Sequence, residues 1–403
     1  MPPFRRLFLS VAGAQFAEQL ALAAVPLTAV LVLGAGPGLV GGLVALQGAA
    51  WLLVSLPAGV AMDRARRSRL VAGAQALSAA ALMLAPLAAL KGWWLPFGLC
   101  LFLGSAGAVV TGLGAMALLP GIVDRTALPR ANARLELARA GATLAAPALA
   151  GWLAGRGAPV LGFWLAAGAA LLAASVVRGL DDRAPAASGA RPPVLQAVRE
   201  GAAFALRHDL LRGIVLCAVF WNFAYFALAA VLVPYALQRI GLDPALTGLA
   251  QSGNGIGLLL GASLAGAILR RAEPRAVMIA GPALSVLAAL LLLAAPRFGG
   301  LAAAALAMGL LGFGPMLWLI CQTTIRQLVT PADLLGRVPA LVQVAIYGVR
   351  PVGALAGGAV GSAFGLDAAL LLVVASFAVS ALVPLLSALG RLRTLPVATS
   401  EAA

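Results

Sequence analysis

The 403-residue chain is 62% hydrophobic and only 10% charged, with a mean hydropathy of +1.02. Soluble domains run about 45–50% apolar and roughly 25% charged, so a water-soluble enzyme is excluded. The 28 basic and 13 acidic residues leave a charge of +15. These cations sit between apolar blocks and are expected to meet membrane surface and aqueous loops, not nucleic acid.

Gly, Pro and charge clusters divide the chain into twelve apolar stretches. They are 7–33, 38–61, 69–90, 93–118, 135–155, 159–177, 212–238, 244–269, 276–295, 299–321, 338–362 and 367–389. Each approaches the roughly 20 apolar residues a spanning helix needs. The first follows Arg5 and Arg6 in the manner of a signal peptide. It is long for one and eleven like it follow, so a retained helix is expected. Lys91, Arg156, Arg239 and Arg297 fall on one side of the membrane, Arg350 lies within a span, and every other basic residue falls on the side of the termini. By the positive-inside rule both termini are then cytoplasmic. The expected fold is an all-α membrane protein of 12 transmembrane helices in two pseudo-symmetric six-helix halves.

The halves are expected at 1–178 and 212–390, with a cytoplasmic linker at 179–211 and a tail at 391–403. Within the linker, 194–209 has helical apolar spacing and is expected to form a short surface helix. Cys100, Cys217 and Cys321 lie in apolar blocks without metal-ligand spacing, so neither a disulfide framework nor a metal site is expected. Offsets of about 204–207 residues bring Gly59, Arg64 and Ser68 opposite Gly266, Arg271 and Arg275, and Pro147 opposite Pro351. Two similar halves fit a transporter that rocks around a central site.

Gly59, Asp63, Arg64 and Arg67 follow the spacing G-x-x-x-D-R-x-x-R. The stretch resembles the loop between helices 2 and 3 of the major facilitator superfamily. Leu128-Pro-Arg-Ala131-Asn132-Ala133 and Pro331-Ala-Asp333-Leu-Leu-Gly336-Arg337-Val338 resemble its enterobactin-exporter-like and macrolide-efflux-like branch. The resemblance implies secondary transport by alternating access. The second-half copy of the loop carries Arg270 in place of the aspartate. The family's antiporter motif in helix 5, G-x-x-x-G-P-x-x-G-G, keeps only Pro147 and Gly151.

Asp63 beside Arg64, Arg66 and Arg67 can accept charge-assisted bonds from a neighbouring helix start or arginine. Such a cluster is expected to latch the halves in the outward-facing state and release as they rock, with Asp124 and Arg125 as partners in the next loop. Glu18 lies 11 residues into the first span, about 16 Å along its axis. A carboxylate at that depth is expensive unless protonated or paired, which makes Glu18 the proton-coupling candidate. Gln15 and Gln19 accompany it, and Asn222 and Tyr225 fall opposite it in the repeat. Arg350, in the eleventh span, is read as the single cation deep in the membrane, with Gln343 and Tyr347 on its stripe. Gln47 and Asn254, opposite one another at an offset of 207, are expected to line the cavity or to bond helices together. Trp51, Trp221 and Trp318, with Phe220 and Phe226, are candidates for an apolar wall.

No nucleotide-binding loop, metal cluster or nucleophile–base pair occurs in the sequence. A proton gradient is therefore the expected energy source, with no cofactor and no enzymatic activity. The expected function is proton-coupled export of a hydrophobic or amphipathic, drug- or siderophore-like molecule. The expected partners are that substrate and the lipid bilayer, with the protein a monomer. A uniporter, importer or lysolipid carrier is the alternative, and a receptor or enzyme a remote one. Lys91 is the only lysine, a bias of GC-rich bacterial genomes, so a bacterial inner membrane is the expected location.

Overall fold

The computed structural model describes residues 1–180, 194–331, 334 and 337–396. Side chains are described throughout these except at 63, 64, 125, 129, 194–200, 337, 339 and 340. The described residues form helices and turns only. These are α1 (Pro3–Leu31), α2 (Pro37–Arg64), α3 (Arg67–Leu90), α4 (Trp94–Leu118), α5 (Leu128–Gly155), α6 (Leu161–Arg178), α7 (Val194–Arg207), α8 (Asp209–Tyr235), α9 (Pro244–Arg271), α10 (Pro274–Ala294), α11 (Gly300–Val329), α12 (Arg337–Phe364) and α13 (Leu366–Leu386).

Proline at the first turn starts α1, α2, α9 and α10, where its missing N–H costs nothing. On α9 the Asp243 side chain also accepts from the Leu246 backbone N–H at 2.8 Å. Eleven of the described helices are long and apolar enough to cross a membrane. The twelfth member of the bundle, α5, falls short because Arg130, Arg134, Glu136 and Arg139 occupy its first half. It begins at Leu128, well before the expected 135, and packs against α1 and α9.

The two sets of six pack alike. In the first, α1 touches α5 and α6, α4 touches α2 and α3, and α3 touches α6. In the second, α8 touches α12 and α13, α11 touches α9 and α10, and α10 touches α13. The α7 helix packs on α8 and α12, with Phe204 and Ala205 against Leu211, Ile325 and Val338. The linker residues 181–193 lie outside the described residues.

The sets meet through α2 with α12 and α5 with α9. Both pairs rely on glycine. A side chain at Gly41 would come within 2.6 Å of the Ala354 carbonyl and 2.9 Å of the Gly358 Cα. One at Gly151 would come within 2.6 Å of the Pro244 carbonyl and 2.7 Å of the Gly248 Cα. The Gly38 N–H also donates to Ser362 Oγ at 2.8 Å. These contacts lie at the end of the bundle away from the termini. At the arginine-rich end Gly59 of α2 faces open space, and Gly266 of α9 meets only Arg270 of its own helix. The two sets touch at one end, and the arginine-rich end is the more open one at these two glycines.

Candidate functional site

Charged and aromatic side chains converge between the sets. Glu18 on α1 turns its carboxyl toward the Trp51 indole of α2, within electrostatic reach of Arg139 on α5 and Arg350 on α12. Among the described residues it forms no ion pair. Gln15 and Gln19 flank it, both half-buried.

Arg350 is held by rings and one amide. Its Nε donates to Asn222 Oδ1 on α8 at 3.2 Å. The Asn222 Nδ2 donates in turn to the Ala218 carbonyl at 2.9 Å, which fixes the amide with its oxygen toward the guanidinium. The Arg350 Cζ lies 4.8 Å from the Tyr347 ring centroid, 5.1 Å from Phe226 and 5.9 Å from Trp51. Such contacts stabilise a cation by about 0.5–1 kcal/mol when exposed and about 2 when desolvated. A side chain at Gly48 of α2 would lie at ordinary contact distance from the Arg350 Cβ, 3.5 Å, and from Pro351 N, 3.6 Å, so α2 and α12 pass close together there. Pro351 cannot donate to the carbonyl of Tyr347 four residues back, so the helix is locally open where the arginine projects.

Two aromatic pairs border this centre. Trp51 and Tyr347 lie 5.1 Å apart. Trp221 and Tyr225 stack at 5.0 Å, and Trp221 Nε1 donates to Ser285 Oγ on α10 at 2.9 Å. The apolar wall expected from sequence is thus divided. Trp51 and Phe226 surround Arg350, Trp221 leans on Phe377 of α13, and Phe220 is exposed.

The other candidates lie elsewhere. Asn254 is buried and its Nδ2 donates to the Met308 carbonyl of α11 at 3.5 Å, so it bonds helices together. Gln47 is buried with Oε1 unpartnered. The Cβ of Trp318 packs where Gly281 of α10 leaves room, and its Nε1 is buried without a partner. Gln343 is exposed. Gly151 and the Pro147 carbonyl both pack on Gly248 of α9. At the open end Arg67 donates through Nη1 to the Ala117 carbonyl at 2.9 Å, meeting the C-terminal carbonyls of α4. Asp124 is exposed, and the side chains of Asp63, Arg64 and Arg125 lie outside the described residues.

Arg139, a second and more exposed cation, lies within electrostatic reach of the same centre. It sits 11 residues into α5, acts on Glu18, Tyr225 and Tyr347, and pairs with Glu136 at 3.5 Å. In sequence it merges with the basic flank of Arg130 and Arg134. Its one signal is the apolar run that begins immediately after it.

A cavity of about 650 Å³ opens beside α1 and α5, lined by Phe4, Arg5, Phe8, Arg134, Leu137 and Ala138. Phe4, Phe8, Gln15 and Glu18 follow one another at spacings of 4, 7 and 3 residues along a single face of α1. That face carries two residues of the cavity wall, Phe4 and Phe8, and further along the helix Glu18.

Residues 7–243 match the family model described as the Major Facilitator Superfamily. The chain belongs to that superfamily. It is 28% identical over 313 residues to an uncharacterised MFS-type transporter, y4rN, of Sinorhizobium fredii, covering 77% of this chain and 76% of that one. Its fold is similar to that of the nucleoside transporter NupG, with a TM-score of 0.73, 14% identity, and 95% and 97% of the two chains covered. It is equally similar to a bacterial homologue of the human lysosomal transporter Spinster in an inward-facing, unoccupied conformation, with a TM-score of 0.73, 14% identity, and 96% and 97% covered. A bacterial homologue of the iron transporter ferroportin, also inward-facing, gives 0.71 at 16% identity, with 94% and 97% covered. This major facilitator protein is a multi-pass membrane transporter, and its charged centre lies between the two six-helix sets.

Proposed function

We propose that this transporter exports an amphipathic small molecule in exchange for protons, by alternating access. The observation that carries the reading is the Glu18 carboxyl, set deep in α1, within electrostatic reach of Arg139 and Arg350 and, among the described residues, without an ion pair. A carboxyl in that position is stable neutral, or charged with compensation, and can exchange one condition for the other as the cavity changes sides. With both termini cytoplasmic, the open end faces the cell interior and the glycine contacts close the outer end. The Asp63 and Arg67 segment then acts as a latch at the open end, with Asp124 and Arg125 across the next loop. The branch resemblance of the 128–133 and 331–338 segments favours efflux, and the aromatic walls favour an amphipathic cargo. A bacterial inner membrane and a monomeric protein complete the reading.

The test is ligand-driven pH change in proteoliposomes, wild type beside Glu18→Gln. The panel is lipophilic cations, anionic siderophore-like compounds and lysolipids. The expected result is proton flux with one class, lost in the variant while the protein remains folded. Transport without proton movement in wild type would replace coupled export with uniport or lipid carriage.

A further inference from the structure

We infer that the central site recognises an organic anion, its acidic head on the terminal nitrogens of Arg350 and its flat apolar body between the Trp51–Tyr347 and Trp221–Tyr225 pairs. This deepens the transport reading and rests on the charged centre being where cargo binds.

The argument begins with the guanidinium. Arg350 makes one hydrogen bond, through Nε, to a neutral amide. Among the described residues its two terminal nitrogens have no acceptor, and neither is among the buried atoms without a partner. The rings of Tyr347, Phe226 and Trp51 stabilise its charge without occupying those nitrogens. A planar fork with two free N–H groups matches a carboxylate.

Charge balance points the same way. Glu18, Arg139 and Arg350 act on one another within the centre; Arg139 already pairs with Glu136 at 3.5 Å, whereas Arg350 has no ion pair among the described residues. A monoanionic ligand gives Arg350 a counter-ion and a cationic ligand adds to its charge. The Tyr225 ring also feels Arg350 and Arg139, so the stacked Trp221–Tyr225 pair lies beside the proposed head position. In the cavity beside α1 and α5 the same chemistry recurs. The Arg134 Cζ sits 5.9 Å from the Phe4 ring, and Arg5 and Phe8 share the cavity wall. Cation and ring together suit an aromatic acid on entry.

The experiment is equilibrium binding by calorimetry to the purified full-length protein in nanodiscs, with no gradient. Three probes share one body: 2-naphthoate, its methyl ester and (2-naphthylmethyl)trimethylammonium. The carboxylate is expected to bind at least tenfold more tightly than the other two. In Arg350→Gln the difference should shrink to within twofold, with Arg350→Lys intermediate. Equal or tighter binding of the ester or ammonium, a preference that survives Arg350→Gln, or no binding of the carboxylate overturns the inference. The wild-type comparison alone decides it if the variants do not fold. Because no gradient is applied, failure of proton coupling leaves this result standing, and failure here leaves proton coupling to its own test.

Discussion

Arg350 on α12 donates to Asn222 on α8 at 3.2 Å, tying two helices of the second set at the centre that Glu18 faces from the first. Hydrogen bonds to charged groups contribute about 1.5–3 kcal/mol. Asn222→Ala should therefore weaken carboxylate binding roughly tenfold or more by freeing the guanidinium from its set orientation. Asn222→Asp should weaken it too, for a different reason, because the new carboxylate would occupy Arg350 as an internal anion. Thermal unfolding should separate the two, falling for alanine and holding for aspartate. Unchanged affinity in both would remove Asn222 as a positioning residue.

Glu18→Gln keeps the shape of the side chain but cannot release a proton. Downhill exchange of cargo across the membrane should persist, while uptake driven by an imposed pH gradient into inverted vesicles should fall to the background of empty vesicles. Gradient-driven uptake equal to wild type would remove Glu18 from coupling.

The glycine contacts between α5 and α9 make a prediction about conformation. A side chain at Gly151 meets the Pro244 carbonyl and Gly248 Cα at 2.6 and 2.7 Å, both backbone. Overpacking of this kind costs about 1–3 kcal/mol. Gly151→Val should penalise the state closed at that end and shift the population by roughly five- to a hundredfold toward its opposite. Spin labels on α5 and α9 at that end should report a longer distance. An unchanged distance distribution would mean the contact does not hold the closed state.

The transmembrane pattern is written plainly in this sequence, because spans and basic loops follow from hydropathy and charge. Glu18 and Arg350 stand out for the same reason, each being a charge inside an apolar run. The facing of neutral polar residues is hidden. Helices α2, α9 and α11 are apolar on nearly every side, since lipid and neighbouring helices present similar surfaces. Nothing in the sequence therefore tells that Asn254 turns to the Met308 carbonyl while Asn222 turns to Arg350. Arg139 is hidden differently: α5 starts at Leu128, and its polar first turns read as loop.

Arg139 should contribute to anion binding in a way that salt reveals. Its side chain is exposed and shares its charge with Glu136 at 3.5 Å, whereas Arg350 is enclosed by rings. Exposed charges are screened over about 8 Å at physiological ionic strength. Arg139→Gln should reduce naphthoate affinity severalfold at low salt and hardly at all at high salt. Arg350→Gln should cost affinity at both. Equal salt dependence of the two variants would contradict this division of roles.

Coupling an anion outward to a proton inward makes the membrane potential decisive. If Glu18 carries one proton and the cargo one negative charge, each cycle moves the equivalent of two positive charges inward. One elementary charge crossing 100 mV is worth about 2.3 kcal/mol, so two provide roughly 4.6 kcal/mol, more than a thousandfold in the accumulation ratio. A cationic cargo exchanged for one proton would be electroneutral. Wild-type vesicles clamped with valinomycin at equal pH on both sides should therefore expel naphthoate faster at inside-negative potential. They should also sustain a steeper gradient of it than Glu18→Gln vesicles, in which the anion moves alone. Efflux indifferent to potential would contradict both the anionic cargo and its exchange for a proton.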